Sequence, residues 1–213
     1  MSIFDLPDPF PWRPGKFEPA YGQVRSPTWG RKTQVANIAD DKWLMKYETR
    51  PLIEPAAEAF DAFLATLKGG VHQFRAYSPI RQRPYAYKNG FGGLTFSGSP
   101  FSGSGNLTAI GAQRDTVTVN ALPNGFVLTA GDHLSFPFGA SGQTLHRVLA
   151  NAVATSGSVT LSIDPVVPFG ATTGVAVLFQ RAWCKGGIKV ETIQRTWLLS
   201  RHCSFSFEAE QVD

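Results

Sequence analysis

Cysteine is nearly absent: only Cys184 and Cys203 occur in 213 residues. Two such residues build no disulfide framework, and their spacing, even with His202, fits no standard zinc site. Their strand-like surroundings favour two buried thiols in a reducing compartment, although a hairpin would also set them side by side. Long apolar runs are missing too, so no segment reaches the roughly 18 residues of a membrane-spanning helix. Runs of one charge are missing as well. The 20 basic and 16 acidic residues give +4 at pH 7 and are scattered along the chain. That balance favours solubility over a nucleic-acid footprint. The opening, MSIFDLPDPFPWRPGKF, lacks the basic start and clean apolar core of a signal peptide.

Signatures of catalysis are equally scarce. GSGNLTAIG lacks the lysine of a phosphate loop and precedes no helix. No G-x-S-x-G joins a strand to a helix. His72, His133, His146 and His202 fall on separate strand-like segments, and His146 in TLHRV reads as a sheet-surface residue. Asp132 and Asp164 stand beside glycine or proline, as turn residues do. The acidic residues form no marked cluster, so a paired-carboxylate hydrolase has little to stand on. The expectation is a protein with no enzymatic activity, no metal and no cofactor.

What the chain has in quantity is phenylalanine, glycine and proline, at 16, 21 and 15 residues. That mixture suits strands joined by turns and predicts a mainly β fold. One helix interrupts it. Pro55 opens the segment, Glu54 and Glu58 favour its positive end, and Ala56, Phe60, Phe63, Leu64 and Leu67 form its apolar stripe. Gly69 or Gly70 closes it in a left-handed conformation. A stripe on one side of about 14 residues needs a surface to cover, which neighbouring strands supply.

Along the chain, residues 1–21 form a Pro- and aromatic-rich arm, with Phe4, Phe10, Trp12 and Phe17 as anchors, and no regular ladder is expected before about residue 22. Residues 31–49 read as a hairpin turning at Ile38–Asp41, with Trp43, Met45 and Tyr47 on one face. VHQFRAYS alternates, with Phe74 and Ala76 inward. Arg75, Arg81, Arg83, Tyr85 and Tyr87 then gather basic and aromatic character. Residues 89–113 read as a Gly/Ser-rich linker. Five strands follow at intervals of about 12 residues, separated by PNG, FGASG, ATSG and VPFGATTG turns, with AGD at 130–132 as a bulge or tight bend within the second, predicting a small barrel or sandwich. GGIKVETIQR and CSFSFEAEQ return to strand, the latter with Cys203, Phe205, Phe207 and Ala209 inward. The expected organisation is a discontinuous domain of residues 22–93 and 182–213, carrying an inserted β-barrel or β-sandwich at 94–181.

AFDAFLATLKGGVHQFRAYSP and LTAGDHLSFPFGASGQTLHRVLANAVATSGSVTLSIDPVV together resemble the distal tail proteins of long-tailed bacteriophages. The resemblance spans about residues 40–210 and rests on structural motifs. It implies a tail-tube-like β-sandwich flanked by the helix, with the inserted module facing outward. It further implies a homohexameric ring at the tail tip, joining the tail tube protein to the hub and receptor-binding proteins. DNA would meet the ring only in passage through its channel. The setting implied is the virion tail tip, assembled in the host cytoplasm. Candidate ring contacts are Phe10, Trp12, Phe17, Arg75, Arg81, Arg83 and Tyr85, above a core of Phe60, Phe63, Leu64, Leu67, Phe205 and Phe207. The competing readings are another baseplate component, a carbohydrate-binding β module and a small nucleic-acid-binding protein.

Overall fold

Alternating apolar residues at both ends of the chain have to find a common sheet, and they do. A computed structural model describes residues 2–7, 11–13, 15–27, 33–198 and 201–212. Its first part contains β1 (Ile3–Asp5), β2 (Phe17–Pro27), β3 (Thr33–Glu48), β4 (Leu52–Ile53), α1 (Glu54–Thr66) and β5 (Gln73–Tyr77). The middle contains β6 (Thr95–Phe96), β7 (Ser99–Pro100), β8 (Ser104–Ile110), β9 (Thr116–Asn120), β10 (Val127–Leu128), β11 (His133–Phe138), β12 (Gly142–Val148), β13 (Ala152–Val153), β14 (Val159–Asp164) and β15 (Ala176–Leu178). Two long strands end the chain, β16 (Trp183–Leu198) and β17 (His202–Gln211).

The flanking strands form one seven-stranded sheet in the order β1-β5-β16-β17-β3-β2, with β4 also on β17. β1 runs parallel to β5, and the other ladders are antiparallel. The middle strands close a barrel in the order β11-β12-β14-β9-β8-β15. The fold is therefore mainly β, with one helix flanking a sheet and a closed barrel inserted between strands of that sheet.

Period-two patterning decides which face of the sheet is covered. Trp43, Met45 and Tyr47 of β3 and Cys203, Phe205, Phe207 and Ala209 of β17 are all buried on one side. α1 lays Ala57, Phe60 and Phe63 on them, with Leu67 buried just beyond its end and Ala56 and Leu64 at its margin. Phe60 lies 4.9 Å from Phe205, ring to ring, and Tyr47 stacks on Phe207 at 5.1 Å. Burying each such ring contributes about 1.5–3 kcal/mol, so the stripe outweighs the weak intrinsic helicity of 13 residues. The chain leaves the helix through left-handed Lys68, Gly69 and Gly70. A side chain at Gly70 would also crowd the Ile188 carbonyl at 3.2 Å.

Several expectations need correction. Regular pairing starts before residue 22: β1 and the first half of β2 belong to the sheet. Pro19 fits because β2 is an edge strand and has no ladder partner on its outer side. The predicted turn at Ile38–Asp41 is instead a distortion within one strand. β3 runs straight through it, and its register against β2 slips twice between Ala20 and Gln23. The hairpin is β2–β3, and its connection at 28–32 lies outside the described residues. The linker read at 89–113 contains a barrel strand, β8. Its alternation is hidden by Gly105, where an added Cβ would fall 2.6 Å from Val119 and 2.8 Å from the Asn120 carbonyl. Six strands therefore close the barrel where five were expected. His146, expected on a sheet surface, is buried and stacks on Phe136 at 5.0 Å.

Candidate functional site

The sheet and barrel meet on the same side of the sheet that carries the helix. Trp43 reaches across this junction and its Nε1 donates to the Leu145 carbonyl at 2.7 Å. His133 of the barrel packs edge-on against both Phe17 and Trp43, at 5.5 Å each. The Trp183 amide donates to Ser135 Oγ at 3.1 Å. A buried indole with its one donor satisfied is a costly contact to break, so the junction is firm.

Buried histidines sit close to it. His146 Nδ1 lies 2.7 Å from the Pro165 carbonyl, which can only accept, so Nδ1 carries the proton. Nε2 then accepts from the Thr144 hydroxyl at 2.8 Å. Burial lowers the His146 pKa to about 4, and burial together with the Arg81 and Arg147 charges lowers that of His133 to about 4. Both groups are thus neutral and structural at pH 7. Cys184 and Cys203 are free, buried thiols, and burial raises the pKa of each. Among the described residues no group of three or more His, Cys, Asp or Glu is placed to hold a metal.

The residues singled out in the sequence end in different settings. Phe10 lies outside the described residues. Trp12 and Phe17 are engaged by their own domain: Trp12 packs edge-on against Tyr47 and Phe60, and Phe17 packs on Trp43. The described part of the arm thus lies largely on its own sheet, with Leu6 buried and β1 paired to β5. Arg75 bonds Asp5 at 3.1 Å and covers the Trp183 ring at 5.1 Å. Arg81 lies 3.5 Å from buried Asp132, donates to the Ala130 carbonyl at 3.2 Å and covers Tyr85. Asp132, read as a turn residue, also accepts from the Tyr85 amide at 2.9 Å and from the Thr129 amide at 2.7 Å. It thereby fixes the 81–85 loop on the barrel. Tyr85 itself stays 60% exposed. Arg83 Nε is buried and has no partner among the described residues.

Two surfaces are left unfinished. The outer half of the β2–β3 hairpin is a two-stranded ribbon whose two faces both meet solvent: Tyr21, Gln23, Val24, Ser26 and Thr33 through Ala36 are all exposed. Its base is tied to the barrel by Tyr21, whose hydroxyl donates to Asp164 Oδ2 at 2.8 Å, beside Arg147 at 3.1 Å. Beyond that tie nothing among the described residues covers the ribbon. The second surface is the face of the sheet opposite the helix. Alternation places Lys42, Lys46, Glu48, Lys189, Glu208 and Glu210 there. Glu210 bridges Lys42 at 2.7 Å and Lys189 at 3.4 Å, and the Lys42 hydrogen bond holds its carboxyl below the usual range. Exposed pairs of this kind are worth about 0–1 kcal/mol, so this face is a balanced polar surface rather than a source of stability.

The junction also carries a cleft of about 400 Å³ between the ribbon base and the barrel. Asp40, Asp41 and Gln211 line one wall, and Gln113, Arg114 and Phe169 line the other. None of these was read as a site residue in the sequence, where Asp40 and Asp41 stood only as turn residues. Phe169 was hidden inside VPFGATTG, where its neighbours spell a turn. No family model matches the chain, and no curated protein matches it.

Proposed function

We propose that this protein is a structural subunit of a ring, the distal tail component of a long-tailed phage tail tip. The observation that carries the reading is the β2–β3 ribbon. A two-stranded ribbon bare on both faces is marginally stable in water and gains most by lying on another subunit. Exposed Val24 and Val35 on it fit that use. Two further features support the reading. Among the described residues the sheet ends in open edges at β1 and β2, and open edges invite pairing unless managed. Its uncovered face is polar and charge-balanced, as the lining of a DNA channel needs to be.

In this reading the sheet is the tail-tube-like, ring-forming part, α1 lies on the side away from the channel and the barrel faces outward. Homohexamers stack between the tail tube and the hub proteins, and DNA touches the sheet only while passing. The protein performs no catalysis and needs no cofactor. It works in the virion tail tip after assembly in the host cytoplasm. The test is the mass of the purified chain by light scattering, with negative-stain images of the same sample. A sixfold mass with a central hole supports the reading, and a monomer across the accessible concentration range counts against it.

A further inference from the structure

We propose that the cleft beneath Phe169 binds a neutral carbohydrate, a role independent of the ring. Phe169 is 86% exposed, yet it is not loose. The Arg114 guanidinium lies 4.9 Å from its ring centroid. Arg114 Nε donates to the Val167 carbonyl at 2.7 Å, and its Nη2 donates to the Pro168 carbonyl. The Val167 amide returns a bond to the Arg114 carbonyl at 2.7 Å. One exposed apolar residue is ordinary on a protein surface. A clamped aromatic ring at the mouth of a 400 Å³ cleft presents a flat apolar platform that loses little freedom on binding.

The polar walls select the class of ligand. Lys42 turns its charge to Glu210 on the opposite face of the sheet, and Arg114 is directed at backbone carbonyls. The cleft therefore offers little to a phosphate or sulfate, and Asp40 and Asp41 repel anions. The Arg114 charge beside Phe169 weighs against a cationic ligand. What remains is planar hydrogen-bonding groups of both polarities. The Asp40 and Asp41 carboxylates accept, and the Gln113 and Gln211 amides both donate and accept. Asp41 Oδ1 takes the Gly22 amide at 3.1 Å, and Gln211 Oε1 takes the Trp43 amide at 3.4 Å, which fixes both side chains and leaves their other polar atoms for a ligand. A sugar matches this set: its C–H face stacks on Phe169 while its hydroxyls donate to the carboxylates and accept from the amides.

Saturation-transfer NMR on the full chain tests this, with maltose, cellobiose and N,N′-diacetylchitobiose as probes at millimolar concentration and a glucuronate disaccharide as the anionic probe. The expected result is transfer to at least one neutral probe, weakened about tenfold by Phe169→Ala and retained by Phe169→Trp. Gln113→Ala should weaken the same probe. Phe169 is a surface residue, so an unchanged circular dichroism spectrum and melting temperature will show that the variants fold. No transfer to any neutral probe, binding unaffected by Phe169→Ala, or preference for the anionic probe would each overturn the proposal. None of these outcomes changes the mass of the assembly, so the ring reading is judged separately.

Discussion

At the scale of single residues, buried polar groups with one specific partner hold the molecule's parts together. Trp43→Phe removes the donor to the Leu145 carbonyl and leaves that acceptor buried. The expected loss is about 2–4 kcal/mol, read as a lower urea midpoint. His146 makes stability depend on pH. Its folded pKa of about 4 lies below the ordinary histidine value of 6.5, so the unfolded chain takes up the proton first as pH falls. Its stabilising contribution is complete above about pH 6.5, declines between there and pH 4, and is constant below that. The decline amounts to about 3 kcal/mol at most. His133, lowered to about 4 as well, adds a decline of the same sign in the same window. Urea midpoints measured from pH 7 to pH 4 should fall steadily, and His146→Gln should remove about half of the slope. An unchanged slope would mean that His146 is not buried as described.

At the scale of elements, what was legible in the sequence was whatever had a clear period. The helix stripe of Phe60, Phe63 and Leu67 and the alternation of Cys203, Phe205, Phe207 and Ala209 both land on the core. Irregular elements were not legible. Gly105 reads as linker material, yet its missing side chain is what lets β8 close against β9. Gly105→Ala should therefore destabilise the barrel by about 1–3 kcal/mol by overpacking, measured by thermal unfolding. The double slip in β3 looked like a turn because Asp40 and Asp41 are turn residues in most settings, and only pairing with β2 reveals a continuous strand. Phe169 and Arg114 gave no signal, because an isolated ring in a turn carries no period. The ribbon itself allows a further prediction. Replacing residues 22–39 by an Asn-Gly turn should leave the monomer's melting temperature within a few degrees, since no described residue covers that segment. It should also abolish assembly, seen as a monomer in sedimentation.

At the scale of the whole molecule, the sheet is finished on one face and unfinished elsewhere. Helix and barrel cover the side that carries Trp43 and Phe207, the opposite face stays polar, and among the described residues both edges stay open. A head-to-tail repeat of such a subunit uses two different edges and closes into a ring when the rotation allows. The most direct measurement is the solution mass by light scattering, paired with negative-stain images of the same fractions. A hexameric ring gives a mass near six chains and a particle with a central hole. A chain that stays monomeric at every concentration reached, with no ring in the images, would contradict it.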